Sequence, residues 1–300
     1  MSGAAGAEWT WVLKVSEIAR EAGARLREFL AAGVETEYKG DVDLVTIADR
    51  TVEKLILERL GAAFPEHGIY GEEGTRERME GEYRWYVDPL DGTTNFAHGI
   101  PHFCVSLGLE HRPAGLKADE DGQLVAAVIY DPNRDELFTA ERGKGAWLNG
   151  KPIHVSKTPE LAEALVATGF PSQKRHDSPN IHFYQEFTLR SHGVRRAGSA
   201  ALDLAYVACG RLDAFWEFKL NPWDTAAGFL LVEEAGGQCT DYAGAQYRLD
   251  SLEVLASNGL VHEELLGFFR DMFAGRDLSP IPTPREFAER RRARAAGKAM

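Results

Sequence analysis

Residues 85–96 read Trp85-Tyr86-Val87-Asp88-Pro89-Leu90-Asp91-Gly92-Thr93-Thr94-Asn95-Phe96. A short apolar run of β-formers leads into two aspartates three positions apart, and Pro89 between them cannot donate to a sheet ladder. The spacing predicts a strand that ends in a turn, with Asp88, Asp91 and the Leu90 carbonyl pointing at one spot. An all-oxygen donor set of that kind suits Mg²⁺. Gly92 permits a tight turn, so the backbone N–H groups of Gly92, Thr93 and Thr94 can face a phosphate. Taken alone, Asp-Gly-Thr is equally an Asp-rich turn with a threonine cap.

Two flanking segments add acids. Gly71-Glu72-Glu73-Gly74 sets two carboxylates between glycines, and Pro222-Trp223-Asp224 puts an aspartate at the expected N-cap of a helix over 225–235. Each has an ordinary explanation, a solvated loop and a helix cap respectively. Thr46 and Asp49 have capping-box spacing at the start of a helix with Val52, Leu55, Ile56 and Ala63 on or near one face. Ahead of it, Val12, Ile18, Ala19, Ala22, Leu26, Phe29 and Leu30 recur near helical spacing until Gly33.

From Arg84 to Asp135 apolar β-formers recur between turn signals, over 85–87, 103–109 and 124–130, which predicts a mostly antiparallel sheet. Residues 119–122 read as a solvated hairpin tip. The runs 137–140 and 146–148 read as a further hairpin, closed by Asn149-Gly150. After Pro159 strands and helices alternate: strand 165–168, helix 181–192, Gly198-Ser199 opening helix 200–209, and strand 213–216. That change places a boundary near residue 155, between an N-terminal α+β half and a C-terminal α/β half over 156–276. Beyond Asp277 three prolines precede Arg290-Arg291-Arg292-Ala293-Arg294, and 277–300 reads as a flexible basic tail.

A chain of 300 residues with 44% apolar side chains can bury a large core. Its net charge of −12 argues against a surface built wholly for nucleic acid, although the basic tail leaves a local contact open. An acidic protein that handles phosphate must neutralise it locally, with cations or oriented N–H groups. Cys104, Cys209 and Cys239 lack C-x-x-C spacing and fit a reducing compartment. The first residues lack the order of a signal peptide, and no apolar run approaches the ~20 residues that span a bilayer. A cytoplasmic protein is expected.

Together these segments resemble the inositol monophosphatase family. Residues 85–98 resemble its metal-binding signature, and Trp223-Asp224-Thr225-Ala226-Ala227-Gly228 through Gly237 resembles its second. Lys39, residues 43–49, Gly71-Glu72-Glu73, Asn149-Gly150 and Arg196-Ala197-Gly198-Ser199-Ala200 fall in the family's order, so the resemblance spans residues 8–272. It implies a mixed α/β fold, a layered αβαβα sandwich with the site at the junction of its halves, and a homodimer. By the same resemblance, Glu72, Asp88, Asp91, Asp224 and the Leu90 carbonyl hold two or three Mg²⁺ ions. Thr93 with Asp49 orients and deprotonates the attacking water, or Glu72 does so through a third ion. Asp91, Gly92, Thr93, Gly198, Ser199, Ala200, Glu217 and Asp224 face the substrate. Clustered carboxylates repel one another by several kcal/mol per pair at an effective dielectric near ~20, so divalent cations are physically required.

The reaction implied is hydrolysis of a small phosphate monoester of a polyol or sugar, inositol 1-phosphate first, with inhibition by Li⁺. Family alternatives are fructose 1,6-bisphosphate, histidinol phosphate and 3′-phosphoadenosine 5′-phosphate. A reading of another class is a regulatory binding protein that keeps the scaffold. One departure weakens transfer of fine specificity: Thr168-Gly169-Phe170-Pro171 stands where some members carry serines. A covalent phosphoaspartate route is disfavoured because Pro89 occupies the position two before Asp91, and Asp41-Val42-Asp43 follows a polar stretch. His98 and His102 have zinc-ligand spacing, but Pro101 forbids the helix that spacing needs.

Overall fold

A computed structural model describes residues 11–33, 36–38, 44–116, 122–170 and 178–295, with backbone alone at 36–38, 44–46 and 293–295. Helix α1 (Val12–Ala32) buries Val12, Val15, Ile18, Ala19, Ala22 and Leu26 on one stripe and stops at Gly33, whose φ of +89° suits glycine. A short hairpin of β1 (Thr36–Tyr38) and β2 (Leu44–Thr46) leads into α2 (Ile47–Ala63), which buries Ala48, Val52, Ile56 and Leu60. Lys39 and Asp43 lie outside the described residues, as do 119–121 of the expected hairpin tip.

The first sheet is built from β3 (Gly68–Gly71), β4 (Arg76–Glu77), β5 (Tyr83–Asp91), β6 (Cys104–His111), β7 (Gln123–Asp131), β8 (Glu136–Glu141), β9 (Ala146–Leu148) and β10 (Lys151–Ile153). A one-turn helix, α3 (Thr93–Ala97), sits between β5 and β6. The strand order is β10-β9-β8-β7-β6-β5-β3-β4, antiparallel except where β3 runs parallel to β5. Asn149 and Gly150 both have positive φ, 48° and 73°, as a two-residue hairpin with Leu148 paired to Lys151 demands.

The second sheet has the order β12-β11-β13-β15-β14. Its elements are β11 (Leu165–Thr168), α4 (Asn180–Arg190), β12 (Gly193–Arg195), α5 (Ala200–Ala208), β13 (Ala214–Phe218), α6 (Pro222–Glu234), β14 (Gln238–Thr240), β15 (Glu253–Ser257) and α7 (His262–Phe273). β11 is parallel to β12 and β13, while β15 is antiparallel to β13 and β14.

Three apolar cores define the layers. α1 and α2 pack on one face of the first sheet, against Val87, Leu107 and Val128. α5 and α6 fill the space between the sheets, with Leu204 and Leu231 meeting Ile129 and Phe138 on one side and Phe215 and Val254 on the other. α4 and α7 cover the outer face of the second sheet through Phe187 and Phe269. This is the αβαβα order that the family resemblance implies.

Several boundaries differ from the sequence reading. The helix expected over 181–192 ends at Arg190, because Gly193–Arg195 joins the second sheet as a three-residue edge strand. α6 begins at Pro222: Asn221 is the N-cap, the proline takes the first helical position, and Asp224 closes a capping box from the third. Asp224 is therefore not itself the N-cap. After Asp277 the chain is tied to α4, with the Ser279 N–H and hydroxyl donating to Glu186. It then forms α8 (Pro284–Ala295), started by reciprocal bonds between Thr283 and Glu286. Among the described residues no helix is long and apolar enough to cross a membrane.

The seat of α6 on the first sheet depends on Gly108 of β6. A Cβ there would lie 2.7 Å from the Ala226 Cβ and 2.8 Å from the Ala227 nitrogen. Gly108→Ala is expected to destabilise the protein by about 1–3 kcal/mol through overpacking, seen as a lower urea midpoint. An unchanged midpoint would mean that α6 is not held this closely.

Candidate active site

The site starts where β5 stops being regular. Asp88 pairs with Ser106 of β6 and Asp91 with Cys104, so β5 carries one residue more than its partner across that interval. Pro89 cannot join the ladder, and the bulge re-aims the residues that follow. Asp88 is 2% exposed, and its Oδ1 accepts the Leu90 N–H at 2.9 Å. Gly92 has φ of +102°, and a Cβ on it would fall 2.9 Å from the His102 carbonyl. Only glycine makes the turn from β5 into α3 here. Thr93 Oγ1 then lies 3.2 Å from Asp49 Oδ1 and 3.0 Å from the Leu90 carbonyl, two acceptors for one hydroxyl proton.

Asp91 connects the sheets. Its Oδ2 accepts the Ser199 hydroxyl at 2.6 Å and the Ala201 N–H at 2.7 Å, placing a carboxylate at the N-terminus of α5. Asn95 helps hold that loop by donating to the Ala197 carbonyl at 2.9 Å. Asp224 reaches in from the first turn of α6, its Oδ2 accepting the Asn221 N–H at 2.7 Å. Glu72 follows β3; its N–H donates to the Val87 carbonyl at 3.1 Å, while its Oε2 is buried without a hydrogen-bond partner among the described residues. Glu217 lies on β13, 7% exposed. A Cβ on Gly169, which follows β11, would sit 2.1 Å from the Glu217 carboxyl, so that backbone approach also requires glycine.

These side chains meet at one cavity of about 350 Å³. Glu72, Asp88, Leu90, Asp91, Gly92, Thr93, Gly198, Ser199, Ala200, Glu217 and Asp224 all line it. Asp49 does not; it is 1% exposed and connects to the cavity through Thr93. The wall also holds residues that sequence reasoning did not assign to it, notably Gly169, Phe170, Asp203 and Trp223, with Arg196 as its one basic side chain among the described residues. Asp203 stands four residues after Ser199, one helical turn along the same face of α5, and that spacing was the available signal. A larger cavity, about 750 Å³, is walled by Leu124, Phe229 and Tyr247 and lacks a carboxylate cluster; its Glu233 is paired with Arg142 at 2.7 Å.

Among the described residues six carboxyl groups, from Glu72, Asp88, Asp91, Asp203, Glu217 and Asp224, face one guanidinium in the smaller cavity. Burial, then the charge of Asp224, pushes Glu72 up to about 8. Burial holds Asp224 up at about 7 and, with Glu72 and Asp91 adding to it, holds Asp88 well above the carboxylate range. Burial raises Asp91 against the opposing bonds from Ser199 and Ala201. Glu217 and Asp203 are raised mainly by burial, Glu217 further by Asp203. The Cys104 thiol, beside Asp91, is pushed up by burial and stays protonated, which leaves the donor set all oxygen.

Among the described residues no group of three or more His, Cys, Asp or Glu side chains is arranged so as to hold a metal ion. Mg²⁺ does not need one, because it binds through one or two carboxylates and completes its shell with water and phosphate oxygens. The partnerless Glu72 oxygen and the hard donors around it fit that ion.

Comparison with known proteins agrees with this geometry. Residues 9–272 match the Inositol monophosphatase family. The chain is 45% identical over 235 residues to an inositol-1-monophosphatase of Mesorhizobium japonicum, covering 78% of this chain and 85% of that one. It is 44% identical over 239 residues to the Nus factor SuhB of Pseudomonas aeruginosa, with the same coverage. Its fold superposes on the extragenic suppressor protein suhB of Bartonella henselae with a TM-score of 0.79 at 40% identity, over 86% of this chain and 97% of that one. The inositol monophosphatase of Anabaena gives 0.76 at 40% identity, over 90% and 97%. On a match that runs through both sheets and every carboxylate of the cavity, the chain belongs to the inositol monophosphatase family.

Proposed function

We propose that the protein is a Mg²⁺-dependent phosphoric monoester hydrolase whose first substrate is inositol 1-phosphate. The observation that carries this reading is the cavity in which Glu72, Asp88, Asp91 and Asp224 face one another. In their ionised form these carboxylates would repel a phosphate dianion, and divalent cations would offset that repulsion. Glu72, Asp88, the Leu90 carbonyl, Asp91 and Asp224 would hold those ions. When bound, Mg²⁺ would neutralise the phosphate and lower the pKa of the attacking water.

The chain's own residues do the rest. The Gly92–Thr93 turn presents backbone N–H groups to the phosphate. Thr93 Oγ1 accepts a hydrogen bond from the water and passes its own proton towards Asp49, which holds the water in line and draws off its proton. Ser199 and Ala201 fix Asp91, and Gly198 to Ala200 form the wall on which the polyol rests. Glu217 accepts hydrogen bonds from hydroxyls beside the scissile phosphate, which favours a polyol over a substrate without donors.

Glu217→Gln is therefore expected to lower turnover of inositol 1-phosphate more than that of an aryl phosphate, by a differential of about 1–3 kcal/mol. Equal losses on the two substrates would assign Glu217 to the fold or to the metal shell. A preference of wild type for fructose 1,6-bisphosphate of about tenfold or more in kcat/KM, a 1.4 kcal/mol difference, would replace inositol 1-phosphate as the first substrate. A second reading, a binding protein that keeps the scaffold, is favoured by one observation: relatives equally similar to this chain carry the name Nus factor. Absence of turnover across a panel of phosphate monoesters would select it.

A further inference from the structure

Glu53 is a buried acid that the reaction as derived does not use. It lies on α2 one helical turn beyond Asp49 and is 4% exposed. Its Oε2 accepts the Glu73 N–H at 2.8 Å and its Oε1 accepts the Thr75 hydroxyl at 2.6 Å. Both donors belong to the turn that presents Glu72. The approach is close because residue 71 is glycine: a Cβ there would lie 2.8 Å from Glu53 Oε2. From the other side Arg76 donates to the carbonyls of Gly71 and Thr75 and stacks on Tyr70, 3.4 Å from the ring centroid. The backbone on both sides of Glu72 is thus held, while the Glu72 Oε2 is buried with no hydrogen-bond partner among the described residues. A free turn would swing that oxygen out to water, since a buried unsatisfied acceptor is unfavourable.

We propose that Glu53 is a positioning residue that holds the Glu72 carboxyl in the cavity ready for a divalent cation. Because α2 carries Asp49 and Glu53 one turn apart, the same helix registers the Thr93 arm and the Glu72 arm of the site against each other. The proposal rests on the reading of the cavity as a Mg²⁺ site, but its first readout does not.

The test uses the full chain and three variants, Glu53→Ala, Glu53→Gln and Thr75→Val. Hydrogen exchange of the Glu73 amide is followed without Mg²⁺, Mg²⁺ binding by calorimetry, and turnover against Mg²⁺ concentration. Glu53→Ala is expected to speed Glu73 exchange and to raise the Mg²⁺ Kd by about tenfold or more, with a much smaller fall in the rate at saturating Mg²⁺. Glu53→Gln can still accept from the Glu73 N–H and donate to Thr75 Oγ1, so its Kd should stay within about threefold of wild type. Faster exchange in Glu53→Ala with an unchanged Mg²⁺ Kd would make Glu53 a structural tie only and overturn the proposal. So would a Gln variant as impaired as Ala. If Glu53→Ala does not fold, Thr75→Val decides: a Kd raised by about threefold or more supports the proposal and an unchanged Kd overturns it. Wild type that binds no Mg²⁺ would remove the phosphatase reading, and the exchange result would still decide whether Glu53 holds the turn.

Discussion

Asp88→Asn lowers kcat/KM on a phosphate monoester by about 10³-fold or more, equivalent to about 4 kcal/mol of transition-state stabilisation, and leaves the protein folded. Asp88 is 2% exposed between Glu72 and Asp91, so no surface carboxylate can take its place. Asparagine matches it in size and can still accept the Leu90 N–H, so the bulge at Pro89 persists. What is lost is one charge of the set proposed to hold the cations. The same substitution should leave the protein no less stable in a chelator, because the buried acid is already opposed there by its acidic neighbours. A folded Asp88→Asn protein with near-normal turnover would remove Asp88 from the metal set.

Thr93→Val is the second large effect, a loss of about 10²–10³-fold in kcat with little change in Mg²⁺ affinity. Valine keeps the shape of threonine but removes the hydroxyl that lies 3.2 Å from Asp49 and 3.0 Å from the Leu90 carbonyl. Asp49→Asn should follow Thr93→Val in kcat, since Asp49 does not line the cavity and meets the Thr93 hydroxyl at its edge. Near-normal kcat in both would transfer water activation to Glu72, which lines the cavity directly.

Some of this architecture could be read from residues alone, and the reasons are local. β5 was legible because an apolar run meets Asp-Pro, and α1 because its buried stripe ends at a glycine with positive φ. The start of α6 was misplaced because Asn221-Pro222, an N-cap with proline at the first helical position, is a stronger start signal than Asp224 and begins three residues upstream of it. β12 was missed because three residues on a sheet edge are too few to show a period of two. Five of the six carboxylates that share the cavity, all but Asp203, were named together through family resemblance, since Glu72, Asp88 and Asp224 come from separate elements. Contacts that depend on pairing distant strands had no local signal. Gly169 meets Glu217 only because β11 runs parallel to β13, with Thr168 beside Trp216. The Glu53 tie to the Glu72 turn likewise needs α2 folded against the end of β3.

The central claim is that this acidic cavity hydrolyses a phosphate monoester with Mg²⁺. Phosphate release from inositol 1-phosphate by the purified protein, measured with Mg²⁺, after complete chelation, and after Mg²⁺ is restored, tests it most directly. Release with Mg²⁺, a loss of about 10²-fold or more on chelation and full recovery on readdition are expected. Undiminished release after chelation, or no release from this or any other phosphate monoester with Mg²⁺ present, would contradict it.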